Sequence, residues 1–558
     1  MNTPRFLPVL LAFCMFSTGA SGLVNEYVLA TISTYILGNS IEQFSLVIAS
    51  MMFMMGVSGL VQNQISDDNL IYKFMALEIV MALLGGFAPL AIYGAYGYLE
   101  NNFQVVHYFF VLAVGFLIGF EIPIVMRIIE QNKIKLKANL AIVYAMDYIG
   151  AFIGAIIWVK FLLKHYPLTE ISFIVAGFNF AVALLTVLYF IHTKVIKHRV
   201  ISLLAVLITA VILFVGYLQN RDISDLFEQR FYDDPIVHKE TSKYQHLVIT
   251  RNQSSGDVRL YINGNTQFSS LDEQRYHDFL VHPAMSLASE KKNVLILGGG
   301  DGLALREVLK YKSSTEITLV DLDPDMVRLA TENRYMRELN RDAFHDARLI
   351  VKDAKGIKEV SVTGVYLNSG KLDAEGQPDS EWVASVKVYN LDADQFINGL
   401  EKQKWDVVII DFPDPSSVEL SKLYSKQFYK KLKRYLADDG YVAIQSTSPY
   451  HAKEAFLTIG NTLRAAGFSA LPYRQNIPSF GDWGYYLGWI NQSSTQLVAK
   501  QLSAVKEFSV DTGFITPELM KASFAFGKGE LDSETRCINT IMHPCLLTQY
   551  TDYSWKVD

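Results

Sequence analysis

Val294-Leu295-Ile296-Leu297-Gly298-Gly299-Gly300-Asp301-Gly302 decides how the C-terminal part of this chain folds. A short apolar strand ends in a glycine turn that holds an acid. Leu303-Ala304-Leu305-Arg306-Glu307 then starts a helical pattern. About twenty residues on, a second strand over 317–320 ends in Asp321-Leu322-Asp323. Strand, glycine loop, helix, strand and acid together form the arrangement that binds an adenosine-type cofactor in an open α/β sheet. Gly298 and Gly300 let the backbone approach the ligand, and Asp321 can accept hydrogen bonds from ribose hydroxyls. Asp301 narrows the choice. A dinucleotide would place its pyrophosphate at this turn, where a carboxylate repels it, so the loop suits a cofactor that is not anionic at that end.

The rest of the chain is of two kinds. Of its 558 residues, 50% are hydrophobic, and the mean hydropathy of +0.19 is high for a wholly soluble protein. The excess lies in residues 6–218, a series of apolar runs of spanning length such as 44–61, 105–126, 171–191 and 201–218, about seven in all. The expected architecture is therefore an N-terminal α-helical transmembrane bundle over residues 1–218. A linker and small antiparallel β module follow over 219–285. A Rossmann-like, methyltransferase-type α/β domain then fills 286–558, with an insertion at about 349–385. A net charge of −6 gives no reason to expect a nucleic-acid partner. Cys14, Cys537 and Cys545 are too few for a disulfide scaffold. Cys537, His543 and Cys545 lie close together without an evident fourth ligand, so packing is the reading there and no metal is expected.

In the β module, 244–249 and 258–262 are strand-like around the turn Ser254-Ser255-Gly256-Asp257. A helix opening at Asp272-Glu273 carries Tyr276 and His277 toward the glycine loop. Beyond Lys292, strands over 293–297, 316–320, 386–390, 406–410 and 440–445 alternate with helices, which implies a mostly parallel sheet. Ligands in such sheets sit beyond the carboxyl ends of the strands. Asp301, Asp321, Asp392, Asp411, Asp414 and Gln445 occupy those places. Concentrated carboxylates there suit a polycation.

Taken in order, these residues resemble the spermidine synthase family of polyamine aminopropyltransferases, in its membrane-bound bacterial branch. The resemblance rests on Tyr244-Gln245, Gln267, Asp272-Glu273-x-x-Tyr276-His277, the glycine loop, Leu305-Arg306-Glu307-Val308-Leu309-Lys310 and Asp321-x-Asp323. It continues through Asp392-Ala393, Asp411-x-x-Asp414-Pro415, Ser425-Lys426-x-Phe428-Tyr429 and Gln445. It implies aminopropyl transfer from decarboxylated S-adenosylmethionine to a diamine such as putrescine, releasing methylthioadenosine. Asp411 matches the catalytic base. Asp414 helps hold the cationic substrate, Tyr276 orients the attacking nitrogen and Gln445 bonds the amine. Asp301 would select the decarboxylated cofactor, Asp321 would meet the ribose, and Asp392-Ala393 would meet the adenine, with Asp353-Ala354 a second candidate. Gln245 and His277 match positions lining the aminopropyl and amine end. Phe412-Pro413 and Phe480 depart from the family pattern, which bears on the acceptor amine more than on the reaction.

Glu26, Glu78, Glu121 and Asp147 fall in or beside apolar runs, where ionisable residues are expensive. They either line a route for polyamine or pair with partners such as Arg127 and Lys160. The basic loops around Arg127, Lys133, Lys135 and Lys137 and around Lys194, Lys197 and Arg199 read as cytoplasmic. Seven spans would then leave the C-terminal domain outside. The implied cofactor is made inside cells, and on that ground the expectation is an inner-membrane, multi-pass protein with a cytoplasmic catalytic domain and possible homo-oligomers. Two rival readings remain. One is a methyltransferase using ordinary S-adenosylmethionine. The other is a membrane polyamine transporter or sensor whose synthase-like domain does not turn over.

Overall fold

The computed structural model describes residues 7–37, 40–99, 102–131, 136–345, 349–351, 384–400 and 403–554. The chain divides into two units, Met1–Ile236 and Val237–Asp558.

The first unit is built from long helices: α1 (Leu7–Leu37), α2 (Ser40–Val61), α3 (Leu70–Leu99), α4 (Phe103–Gln131), α5 (Leu136–Ile157), α6 (Leu168–His192) and α7 (Arg199–Glu228). Among the described residues these seven are long and apolar enough to cross a membrane. They are apolar all round rather than on one stripe, so large side chains such as Phe53, Leu60 and Phe214 point outward from the bundle. Pro89 and Pro123 lie inside α3 and α4. Small residues bring α1 and α5 together: a Cβ on Gly150 would collide with the backbone oxygen of Phe16.

The boundary expected at Leu218 is corrected. α7 continues to Glu228 because its polar end still has partners in the bundle, Arg221 pairing with Glu170 of α6. The segment 219–285 is therefore not a unit of its own. Its first part completes the helical unit, and its strands belong to the second.

The second unit opens with a four-stranded sheet in the order β1 (Ile236–Thr241), β2 (His246–Arg251), β3 (Val258–Ile262), β4 (Asn265–Ser269). β2–β3 and β3–β4 pair antiparallel, and β1 is an addition to the expected module. The main sheet has eight strands in the order β11-β12-β10-β9-β5-β6-β8-β7. These are β5 (Asn293–Gly298), β6 (Glu316–Asp321), β7 (Leu349–Val351), β8 (Ala384–Asn390), β9 (Trp405–Asp411), β10 (Leu436–Gln445), β11 (Ser469–Ile477) and β12 (Gly481–Trp489). β7 to β10 with β5 and β6 run parallel, and β11 and β12 close one edge antiparallel. Val294 to Leu297 and Val407 to Ile410 are fully buried on both faces, as central parallel strands must be. The chain winds from β5 toward β6 and β8, then returns to the other side of β5 for β9. In open sheets of this kind ligands bind beyond the strand ends at such a reversal, here the ends of β5 and β9. Asp353 and the strand expected over 360–366 lie outside the described residues.

Candidate active site

β5 and β9 end side by side, with Gly298 opposite Asp411. Gly298 has φ +83°, and a Cβ there would collide with the Asp411 backbone oxygen. A Cβ on Gly300 would sit 2.6 Å from the Asp321 carboxyl carbon. Instead the Gly300 N–H donates to Asp321 Oδ2 at 2.9 Å. The glycine turn therefore lets the loop close over the acids that end its neighbouring strands.

The acids meet at His277. One ring nitrogen of His277 and carboxylate oxygens of Asp301 and Asp411 all lie within 4.8 Å of one another. Tyr276 Oη donates to Asp411 Oδ1 at 2.6 Å. Burial raises the Asp411 carboxyl above its ordinary range, against the pull of His277 and the Tyr276 hydroxyl. Burial likewise pushes Asp301 up to about 6, opposed by His277 and reinforced by Asp411. Its Oδ1 also accepts the Leu303 N–H at 2.9 Å. Burial works against a charge on His277, but its hydrogen bond to Glu273 and the surrounding acids prevail and raise it to about 9. His277 is thus held protonated more readily than a free imidazole. With two carboxyls to one imidazole, the trio suits a cationic group better than an anionic one.

Below this cluster lies a buried ion network. Arg306 holds Glu273 bidentately at 2.8 and 2.9 Å and reaches Glu307 at 2.7 Å. Glu307 in turn meets His282 at 3.1 Å and pairs with Lys310. This network fixes the helix Glu273–Leu287 against the helix Leu303–Val308 and so sets the position of His277. The Tyr276 ring packs against Phe480, Trp483 and Tyr485. Asp272 accepts from Ser479 N at 2.6 Å and Ser479 Oγ at 2.9 Å, which ties down the turn bearing Phe480.

A second pole forms around Asp414. Gln445 Nε2 donates to Phe412 O at 2.5 Å, to Tyr424 Oη at 2.7 Å and to Asp414 Oδ1 at 3.3 Å. Thr447 Oγ1 and Tyr550 Oη donate to Asp414 Oδ2 at 3.4 and 2.8 Å. Burial pushes this carboxyl up to about 6 despite those donors. Tyr550, Thr447 and Tyr424 are additions that sequence reasoning missed. Tyr550 comes from the helix Cys545–Tyr553, 136 residues beyond its partner, and no local pattern points to it. That helix begins at Cys545, whose Cα lies 6.6 Å from that of Cys537 in the preceding segment, so the two cysteines read as packing partners are neighbours. The two thiols are brought together by the turn around the Thr540–His543 bridge.

The remaining expected residues fall at the β6–β8 side. Asp321 accepts the N–H groups of Gly300 and Asp323, and burial still raises it to about 6. Gln245 bonds Asp323. Asp392 caps the helix Ala393–Asn398 by accepting the Gln395 N–H at 3.0 Å and pairs with Lys422 at 3.1 Å. Its carboxylate is thus already engaged, and Ala393 is buried beside it.

Residues 273–374 and 382–500 match the Spermine/spermidine synthase domain. A "Polyamine aminopropyltransferase" of Oceanobacillus iheyensis is 33% identical over 96% of this chain and 95% of its own length. "Polyamine aminopropyltransferase 1" of Streptomyces coelicolor is 34% identical over 98% and 94%. The Leptospira interrogans "Polyamine aminopropyltransferase" is 34% identical over 100% and 99%. Matches of this extent run through the long apolar helices as well as the sheet.

Proposed function

The chain belongs to the spermine/spermidine synthase family, and from that premise we propose that it transfers an aminopropyl group from decarboxylated S-adenosylmethionine to a diamine such as putrescine. The observation that carries this reading is the meeting of Asp301, Asp411 and His277 beside the glycine loop, with Tyr276 bonded to Asp411.

The chemistry follows from the amine. At neutral pH an alkyl amine is protonated and has no lone pair with which to attack. Asp411 takes that proton, and its raised carboxyl is better matched to the task than an exposed one. The freed lone pair attacks the methylene beside the sulfonium. A C–N bond forms, the C–S bond breaks with its electrons going to sulfur, and neutral methylthioadenosine leaves. Tyr276 steers Asp411, and Asp414 with Gln445 holds the far ammonium of the acceptor. Asp321 with Gly298 and Gly300 receives the ribose side, Asp392 and Ala393 lie toward the adenine, and Gln245 with His277 lines the aminopropyl and amine end. Asp301 faces the cofactor's ammonium. The carboxylate of ordinary S-adenosylmethionine would meet Asp301 as a like charge, which disfavours a methyltransferase.

The helical unit is read as an inner-membrane, multi-pass anchor. Its basic loops favour a catalytic unit outside the cytoplasm. The supply of a cofactor made inside the cell favours the cytoplasmic side, and supply is taken to decide. The function is tested with purified full-length protein in detergent, decarboxylated S-adenosylmethionine and a panel of diamines. Amine-dependent release of methylthioadenosine supports transfer. Cofactor binding with no release under any amine would make the domain a sensor.

A further inference from the structure

The helical unit holds acids that the transfer reaction does not use. Glu78 on α3 and Glu121 on α4 are buried, and both carboxylate oxygens of Glu78 and Oε1 of Glu121 have no hydrogen-bond partner. Glu121 accepts a hydrogen bond from Thr18 of α1. Glu78 is within electrostatic reach of Glu121, and Glu121 of Asp147 on α5. Among the described residues none of these three acids is in an ion pair. Arg127 is committed to Asp67 and Arg221 to Glu170. Glu26 is half-buried on α1.

Polar groups of neighbouring helices face the same core. Ser21 of α1 donates to Asn179 of α6, whose Nδ2 has no partner, and the buried amide of Asn25 has an unpartnered Nδ2 as well. Half a turn exchanges the oxygen and nitrogen of an amide, so both can also serve as acceptors. The helices alternate in direction. Glu78, Glu121, Thr18, Asp147 and Asn179 therefore all lie roughly 12–20 Å from the same end of the bundle, at 1.5 Å per residue. This is one polar layer drawn from α1, α3, α4, α5 and α6, deep in otherwise apolar helices.

We propose that this layer is a second ligand site, which binds an extended organic cation of the di- or polyamine class inside the helical unit. The inference rests on the reading of these helices as membrane-embedded. Ionised carboxylates at such depth are costly unless paired, and buried orphan acceptors call for cationic donors. A compact metal ion is a poor match. Among the described residues the groups whose ligand atoms converge closely enough for one ion are His277 with Asp301 and Asp411, and Asp278 with His282 and Glu307; the three acids of the helical unit are not among them. A polyamine spaces its ammonium groups several ångströms apart on methylenes, which suits separated carboxylates between apolar helix faces.

The test is equilibrium dialysis of labelled spermidine against full-length protein in detergent, without cofactor. Wild type should show two classes of site. Glu78→Gln with Glu121→Gln should weaken one at least tenfold and leave methylthioadenosine release within twofold, whereas Asp414→Asn should weaken the other. Glu121→Asp should retain the membrane site, and Asn179→Ala, on a different helix, should weaken it if the double variant does not fold. A single class of site in wild type, or two classes untouched by the membrane variants, overturns the proposal. Absence of methylthioadenosine release from wild type would instead count against the transfer reading alone.

Discussion

Replacing Asp411 with Asn removes the proton acceptor while keeping the shape that accepts the Tyr276 hydroxyl at 2.6 Å. The cost can be worked from the substrate. An alkyl amine with a pKa near that of lysine, about 10.4, is neutral in roughly one molecule in a thousand at pH 7.4, a deficit of about 4 kcal/mol. Wild type offsets this deficit because Asp411 accepts the proton within the site as the amine moves to attack, with no free base needed from solution. The variant must wait for amine that is already neutral, so kcat/KM should fall by about 10³ at pH 7.4, within the usual range for a lost general base. The deficit should shrink as pH rises, to about 25-fold at pH 9, because solution then supplies the free base. Wild type should be nearly flat over that interval and should lose activity on acidification. Asp411 has a raised carboxyl, and Asp301, at about 6, protonates in the same direction. The assay is methylthioadenosine release against pH at subsaturating amine. A loss that stays the same from pH 7 to pH 9 would mean that the substitution damages the site rather than removing a base, and the reasoning would fail.

Asp301→Asn should reduce the preference for decarboxylated over ordinary S-adenosylmethionine by one to three orders of magnitude, on the scale of a like-charge contact of about 4 kcal/mol at short range; calorimetric binding of both ligands measures it, and an unchanged ratio counts against the role given to Asp301. Tyr550→Phe deletes a donor to Asp414, so the acceptor's KM should rise about 3- to 10-fold, with kcat and the cofactor's KM within twofold; a fall in kcat alone would place Tyr550 elsewhere in the mechanism. An alkaline phosphatase fused after Asp558 should be inactive in intact cells if cofactor supply sets the topology. An active fusion would put the catalytic unit outside, in keeping with the basic loops.

What could be read in the sequence was what repeats or sits at strand ends. The glycine loop, the acids at Asp321 and Asp411 and the long apolar runs each rest on a local rule of periodicity or sterics, and the structure has an element at each. Partners joined across the chain could not be read in this way. Tyr550 meets Asp414, Arg306 meets Glu273 and Asn179 meets Ser21 across long separations with no spacing rule to connect them. Asp392 shows the limit from the other side. Its place at a strand end suits ligand binding, yet the same position caps the following helix, and Lys422 lies near enough to claim the carboxylate. The end of α7 was missed because hydropathy stops at Leu218 while helical hydrogen bonding does not.

The most direct measurement supplies full-length protein with decarboxylated S-adenosylmethionine labelled in its aminopropyl carbons, together with putrescine, and follows both products by mass spectrometry. The account predicts that the label appears on the amine as spermidine in a one-to-one ratio with methylthioadenosine. Label retained on the sulfonium compound, or a methylated amine with S-adenosylhomocysteine when ordinary S-adenosylmethionine is supplied, would contradict it.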